Sequence, residues 1–172
     1  PVTAADLASQ AHIVAGLQAL TPGVPVIAEE SDLPSYEDRR EWSRFWLVDP
    51  LDGTKEFVKR NGEFSVNIAL VENGYPILGV VHAPVTGLTY VGTPRSRHTA
   101  AAAWRYDAEG AAHPIHSRAP DGTGVTVMVS RSHANAPTLE FIAALKARFG
   151  TVETLPRGSA IKSCLVADGT AH

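Results

Sequence analysis

The sequence has little of what marks several specialised protein classes. Its 172 residues include a single cysteine, which excludes an internal disulfide framework and favours a reducing compartment. No apolar run approaches the roughly 20 residues that span a bilayer. The sequence also lacks a large excess of charge of one sign, because 15 basic and 18 acidic residues give a net charge of −3. This balance does not indicate binding to nucleic acid or to an anionic membrane surface. We therefore expect a cytoplasmic protein with no transmembrane segment and no nucleic-acid partner.

What is present is the pattern of an ordinary globular core, with 44% hydrophobic residues. Helical spacing predicts helices at 3–20 and 136–150, and a further helix from 158. Apolar runs predict strands at 24–30, 45–49, 64–71, 76–83, 88–92 and 125–130, with a hairpin turn at Asn73-Gly74. Residues 93–124 read as loop or as a variable excursion that could mark a subdomain hinge. Antiparallel strand signals flanked by helices predict an α+β layered sandwich.

Acidic side chains stand where the predicted strands end. Glu29 and Glu30 follow one strand, and Asp49 and Asp52 follow the next. Since strand ends on one edge of a layered sheet converge, these carboxylates could share a site, and like charges crowded together need a cation. Oxygen ligands without a Cys or His pattern suit Mg²⁺ or Mn²⁺ better than zinc.

The segment after Asp49 has the properties of a phosphate-binding turn. We expect Pro50 to break the strand and to free the Leu51 carbonyl as a further metal ligand. Gly53 lets the backbone approach a ligand closely, and N–H groups at such a turn attract anions. This combination suits phosphoester hydrolysis, in which two metals about 4 Å apart activate a water and stabilise the leaving oxygen. Thr54 could relay a proton if Asp6 oriented it.

Each feature alone has a simpler explanation. Two aspartates three residues apart around a Pro-Gly turn are common turn residues, and Glu29-Glu30 could be solvated. Thr3 and Asp6 match a helix capping box, with Asp in place of Glu, and so need no catalytic role. A metal-dependent phosphatase is therefore an interpretation of the combination of residues.

The order of four motifs resembles the lithium-sensitive, magnesium-dependent inositol monophosphatase superfamily. The motifs are PVTAAD from residue 1, AEES from 28, WLVDPLDGTKEF from 46 and GSAIKSCLVADG from 158. Residues 46–85 further resemble the CysQ branch, the 3′(2′),5′-bisphosphate nucleotidases. The resemblance covers essentially the whole chain. It implies the layered αβαβα sandwich of the sugar and inositol phosphatases, here mainly its N-terminal half.

The resemblance also implies roles for individual residues. The metal ligands would be Glu29, Asp49, the Leu51 carbonyl and Asp52. The catalytic residues would be Asp6 and Thr54, which orient the attacking water, together with Glu29. The substrate would contact Glu29, Leu51, Asp52, Gly53, Thr54, Lys55, Ser132 and His133. Glu30 is left with a structural role.

Enzymes of this branch remove the 3′-phosphate of adenosine 3′,5′-bisphosphate, a by-product of sulfate assimilation, and give AMP and phosphate. Lys55 favours this branch, since inositol monophosphatases typically carry a threonine there and a lysine could answer a second negative charge. Ser132 and His133 belong to a segment, SRSH, that we place near the nucleotide. Lys162, on the last predicted helix, is a further candidate.

The sequence departs from the family pattern at both ends. The family supplies one more aspartate, in a Trp-Asp motif on a later helix, and further helices ahead of Pro1. We therefore expect a fragment, with 1–120 as the metal- and phosphate-binding part and 121–172 as the start of a truncated C-terminal α/β part. The family adds two expectations: a homodimer, and peripheral attachment to the cytoplasmic face of the inner membrane as an alternative location.

Two other functions stay open. One is a monophosphatase acting on inositol phosphate or fructose 1,6-bisphosphate, because the motif fixes the reaction better than the leaving group. The other is a non-catalytic relative that binds a phosphorylated nucleotide. The retained carboxylates argue against this second function, and the missing last aspartate argues for it.

Overall fold

The apolar runs form a seven-stranded sheet in a computed structural model that describes residues 2–95, 100–131 and 135–172. The strands lie side by side in chain order: β1 Val26–Ala28, β2 Arg44–Asp52, β3 Ser65–Glu72, β4 Tyr75–Ala83, β5 Leu88–Thr93, β6 Ala102–Tyr106 and β7 Ala112–Pro114. β1 is parallel to β2, whereas every later neighbouring pair is antiparallel. The sheet is therefore a meander with one parallel edge strand.

Helix α1, Ala4–Leu20, packs against β1 and β2. Thr3 caps its first turn and forms the predicted capping box with Asp6. At the other end, Trp46 Nε1 donates to Thr21 Oγ1 at 2.9 Å, which ties the end of the helix to β2. The core between helix and sheet is a cluster of buried residues: Leu17, Ala28, Trp46 and Val48. Two short helices, α2 Tyr36–Arg39 and α3 Thr54–Val58, flank β2.

A parallel strand pair follows the meander. Its elements are β8 Val125–Ser130, helix α4 Ala136–Phe149, β9 Val152–Arg157 and helix α5 Ile161–Ala167. Asn135 caps α4 with its side chain, and Gly150 ends that helix as predicted. Helix α5 packs against β8 and β4 and so joins the parallel pair to the meander.

The predicted fold class is confirmed, because a meander sheet packed with helices is a mixed α+β fold. The strand predictions are confirmed in β1 to β5 and β8. The Asn73-Gly74 turn joins β3 and β4, and both residues have the positive φ values, 50° and 79°, that a two-residue hairpin turn requires.

Two secondary-structure predictions are wrong. Residues 93–124 are not a continuous loop, since β6 and β7 extend the sheet from the edge of β5. Pro50 does not end β2, which continues to Asp52. The pairing of β2 with β3 shifts register between Asp49 and Asp52, so the proline lies at an irregularity, where the ladder tolerates a residue without an N–H.

Besides β6 and β7, three elements were not predicted: β9, α3 and the short helix α2 between β1 and β2. β9 has the sequence VETLPR, which contains a proline and alternates poorly, and it forms by pairing with β8. α3 occupies the residues read only as a turn. No helix in the described part of the chain is long and apolar enough to cross a membrane. The predicted domain boundary after residue 120 falls between β7 and β8 and stays a prediction.

Tyr90 connects the meander to α5. Its hydroxyl donates to Asp168 Oδ2 at 3.1 Å, and its ring packs with Ile115 and Cys164. The Asp168 carboxylate is almost fully buried, with Arg105 Nη1 at 3.7 Å. Burial, followed by the charge of Asp168, raises the pKa of the Tyr90 phenol far above its usual value. The phenol therefore acts as a permanent hydrogen-bond donor to a buried charge.

Tyr90→Phe should lower the free energy of unfolding by about 1–3 kcal/mol, because it takes a donor from a buried carboxylate. Tyr75→Phe is the matched control, since Tyr75 is 75% exposed and its change should stay within about 0.5 kcal/mol. Urea unfolding of both variants measures the difference. Equal effects would contradict the role given to the Tyr90 hydroxyl.

Candidate metal and phosphate site

The ends of β1 and β2 bring two carboxylates together. The Glu29 N–H donates to the Val48 carbonyl at 3.0 Å, which continues the parallel ladder by one residue and sets Glu29 beside Asp49. The Asp49 side chain accepts a hydrogen bond from the Leu51 N–H at 3.1 Å. Backbone pairing thus fixes the position of these side chains, as the sequence predicted.

The electrostatics of Asp49 are those of a crowded carboxyl. The pKa of Asp49 is raised to about 7, first by burial and then, in decreasing order, by the negative charge of Glu29, a hydrogen bond with Glu29 and the charge of Asp52. The Leu51 N–H has the opposite, smaller effect. The Asp49 carboxyl therefore tends to hold a proton near neutral pH, with a hydrogen bond to Glu29. A divalent cation would replace that proton and relieve the repulsion.

The donor set suits a hard cation. Asp49 interacts with the carboxylates of Glu29 and Asp52, the Leu51 carbonyl lies 3.4 Å from Thr54 Oγ1, and all these donors are oxygen. However, within 2–95, 100–131 and 135–172, no group of three or more His, Cys, Asp or Glu side chains is arranged so that it could hold a metal ion. Rotation of the crowded carboxylate side chains would let them close around an ion. The residues fit Mg²⁺ or Mn²⁺ on that basis.

Asp6 serves two partners at once. It is 1% exposed, and its Oδ2 accepts from the Thr3 N–H at 2.9 Å and the Thr3 hydroxyl at 2.5 Å. Its Oδ1 lies 3.5 Å from Thr54 Oγ1, which is also 3.4 Å from the Leu51 carbonyl. The cap and the pairing with Thr54 were alternative interpretations of the sequence, and the geometry accommodates both.

Asp52 is held by partners that the sequence analysis missed. Its Oδ2 accepts from the Ala160 N–H at 2.5 Å and lies 3.4 Å from Asn67 Nδ2 and 3.5 Å from Ser65 Oγ. The register of β2 and β3 sets Ser65 opposite Asp52 and Asn67 opposite Asp49. Ser65 and Asn67 alternate along β3, and antiparallel pairing with β2 could have placed them beside Asp52 and Asp49. The register shift at Pro50 is not visible in the sequence, so this pairing could not be predicted.

Helix α1 supplies two more contacts that were missed. Ser9 Oγ donates to the Pro50 carbonyl at 2.9 Å, and Gln10 Oε1 accepts from the Glu30 N–H at 3.0 Å. Both residues lie on the face of Asp6, at helical spacings of three and four. That spacing was a usable signal, and it means that one helix face contacts both strand ends.

Gly53 turns the chain from β2 into α3. Its φ is +95°, a left-handed conformation, and a Cβ there would lie 3.1 Å from the Glu63 carbonyl and 3.3 Å from Ser159 Cβ. A side chain at position 53 would therefore be disfavoured both by the backbone conformation and by steric contact.

A cavity of about 710 Å³ opens beside these residues. The residues that line it are acidic (Glu29, Glu30, Asp52 and Glu56), cationic (Lys55 and Lys162) or uncharged, the last including Gly53, Thr54, Ser130 and Ser159. Lys162 Nζ donates to the Ser159 carbonyl at 2.6 Å. The cavity thus adjoins an acidic edge formed by Glu29, Asp49 and Asp52, suited to a metal, and is lined by the cationic side chains of Lys55 and Lys162, suited to an anion.

Ser132 and His133, the predicted nucleotide contacts, lie outside the described residues. Their role stays a prediction. Their described neighbours are Ser130, which lines the cavity, and Arg131.

Known proteins resemble the chain over its whole length. The model of the inositol monophosphatase family matches residues 1–172. The 3′(2′),5′-bisphosphate nucleotidase CysQ of Escherichia coli K12 is 49% identical over 172 residues, and that of Buchnera aphidicola is 38% identical. Both matches cover 100% of this chain, but 64% and 60% of the relatives. The chain therefore spans less than two thirds of the length of these curated proteins.

Solved structures resemble it as well. The crystal structure of CysQ from Bacteroides thetaiotaomicron, a bacterial member of the inositol monophosphatase family, has a TM-score of 0.81 at 40% identity, over 96% of this chain and 63% of that one. SuhB from Mycobacterium tuberculosis has a TM-score of 0.73 at 22% identity, over 96% and 62%. The second likeness is one of fold alone.

Gly53→Ala should destabilise the protein more than Gly74→Ala does. Both positions have positive φ, which costs a residue with a Cβ about 1–2 kcal/mol, but a Cβ at Gly74 meets nothing within 4 Å. The excess at Gly53 should be at least about 1 kcal/mol, because Glu63 and Ser159 must also shift. Urea unfolding provides the comparison, and equal losses would contradict the close contact at Gly53.

Proposed function

The chain belongs to the inositol monophosphatase family, and we propose that it carries the metal- and phosphate-binding part of a magnesium-dependent 3′(2′),5′-bisphosphate nucleotidase. The reaction removes the 3′-phosphate of adenosine 3′,5′-bisphosphate and gives AMP and phosphate, which would place the protein in sulfate assimilation. The observation that carries the proposal is the acidic edge of Glu29, Asp49 and Asp52, with Lys55 and Lys162 lining the adjoining cavity. The activity named for its CysQ relatives supports the choice of substrate.

Four oxygen donors would hold the magnesium ions: the side chains of Glu29, Asp49 and Asp52, and the Leu51 carbonyl. When bound, Mg²⁺ supplies Lewis-acid stabilisation of negative charge on the phosphate oxygens. The protein's own contribution is to keep the carboxylates together. The ladder of β1 and β2 does so for Glu29 and Asp49, and the Ala160 N–H does so for Asp52.

Thr54 and Asp6 would orient the attacking water. If the Thr54 hydroxyl donates to Asp6 Oδ1, its oxygen lone pairs are left to accept a hydrogen bond from the water. Asp6 is a rigid acceptor, since the two hydrogen bonds from Thr3 hold its other oxygen. The lack of a side chain at Gly53 lets Glu63 and Ser159 pack against the backbone that would bind the phosphate. Ser132 and His133 would lie at the nucleotide.

Glu29→Gln and Asp49→Asn should each reduce kcat/KM at saturating magnesium by at least about 100-fold, because each removes a charged metal ligand. Neither should unfold the protein, since each removes one of the crowded negative charges. Phosphate release and thermal melting of the full-length protein measure the two effects.

The matched control is Glu37→Gln. Glu37 is exposed on α2 and pairs only with Arg40 among the described ion pairs. Its change should leave phosphate release at the level of the parent protein. Near-normal turnover by Glu29→Gln or Asp49→Asn would show the metal assignment to be wrong.

The substrate can be tested with three phosphate esters. The full-length protein should hydrolyse adenosine 3′,5′-bisphosphate with kcat/KM at least about 10-fold above that for inositol 1-phosphate or fructose 1,6-bisphosphate, because cationic side chains line the cavity where a second phosphate would lie. A preference for either of the other esters would favour the monophosphatase alternative. Nucleotide binding without turnover would favour a non-catalytic relative.

A further inference from the structure

Glu63, between α3 and β3, makes a bidentate ion pair with Arg131, which directly follows β8. Arg131 Nε donates to Glu63 Oε2 at 2.8 Å, and Arg131 Nη2 donates to Oε1 at 2.7 Å. Arg131 also donates to the Pro156 carbonyl at 3.1 Å, and Arg157 Nη1 lies 3.8 Å from Glu63. The pair therefore links the meander to the ends of both β8 and β9.

The same carboxylate holds the backbone that follows β9. The Gly158 N–H donates to Glu63 Oε2 at 2.9 Å, and the Glu63 side chain is 16% exposed. The hydrogen bond from Arg131 is the main cause of the lowered pKa of Glu63, with a smaller effect of the Gly158 N–H. A Cβ on Gly158 would lie 2.6 Å from the Glu63 carbonyl and 2.6 Å from Glu56 Cγ. The two backbones are thus in close contact.

This contact is two residues from the acidic edge. Ala160 donates its N–H to Asp52 at 2.5 Å, Ser159 lines the cavity, and the Ser159 carbonyl accepts from Lys162. A short covalent path therefore runs from Gly158, held by Glu63, to the partner of Asp52. A shift of Gly158 would move the cavity wall and Lys162 with it.

We propose that Glu63 is a positioning residue: its ion pair with Arg131 and its hydrogen bond from Gly158 hold residues 158–160 against Asp52 and fix the substrate side of the cavity. The proposal rests on the proposed function for its kinetic consequence. Glu63 touches neither phosphate nor metal in this role and acts through Gly158 and Ala160.

A partly exposed ion pair by itself contributes little to stability, so a test needs an equivalent pair elsewhere. The pair of Arg44 with Glu72 provides it. It also joins an arginine to a glutamate, it lies at the far end of β2 and β3, and its carboxylate is 34% exposed. Glu72→Gln is therefore the matched control for Glu63→Gln.

Steady-state kinetics of the full-length protein with adenosine 3′,5′-bisphosphate test the proposal. Glu63→Gln and Arg131→Gln should each raise KM about 10-fold and change kcat less than about 3-fold, because they weaken the binding of substrate and of transition state equally. The double variant should resemble the single ones, because both break the same pair. Glu72→Gln should leave KM unchanged. A mere loss of stability would reduce the amount of active protein, and so apparent kcat, without raising KM.

Amide hydrogen exchange gives a readout that does not need turnover. In Glu63→Gln and Arg131→Gln, the amides of Gly158 and Ala160 should exchange at least about 10-fold faster than in the parent, and in Glu72→Gln at the parent rate. Arg131→Gln still tests the proposal if Glu63→Gln fails to fold.

If the parent hydrolyses none of the esters, the proposed function fails and exchange alone tests the positioning role. Unchanged exchange, unchanged KM, or independent effects that multiply in the double variant would each overturn it.

Discussion

Backbone pairing that holds like charges together is the constraint on which the candidate site depends. The parallel ladder of β1 and β2 runs through the buried residues Ala28 and Val48 and continues into Glu29 and Asp49. The carboxylates cannot separate by moving the backbone, because that would open the core beneath α1. The folding energy of the hydrophobic core therefore offsets the repulsion at the strand ends. A divalent cation is the natural partner of such an arrangement.

Helix α1 belongs to the site as much as to the core. One oxygen of Asp6 accepts from the Thr3 N–H and so caps the start of the helix, and the other oxygen faces Thr54. Ser9 and Gln10 contact the two strand ends. The start of the helix and the neighbourhood of the Thr54 hydroxyl therefore share the side chain of Asp6.

Local patterns in the sequence predicted much of this arrangement. Apolar runs with turn residues identified β2 to β5, and carboxylates at strand ends identified the acidic edge. β9 could not be predicted, because its proline and polar residues become a strand only against β8. Ser65 and Asn67 escaped notice because their register depends on the shift at Pro50. Glu63 gave no signal, since its partners Arg131 and Gly158 lie far along the chain and only tertiary packing brings them near.

The cavity draws its walls from two sheets. Asp52 comes from the meander, and Ala160 and Lys162 follow the parallel pair, so neither part has the cavity alone. Binding and docking are then thermodynamically linked. A ligand that contacts both walls stabilises the packing of the two sheets against each other. The free energy of this stabilisation equals the free energy by which the packing improves the affinity for the ligand. An occupied cavity therefore acts as a non-covalent cross-link between the sheets.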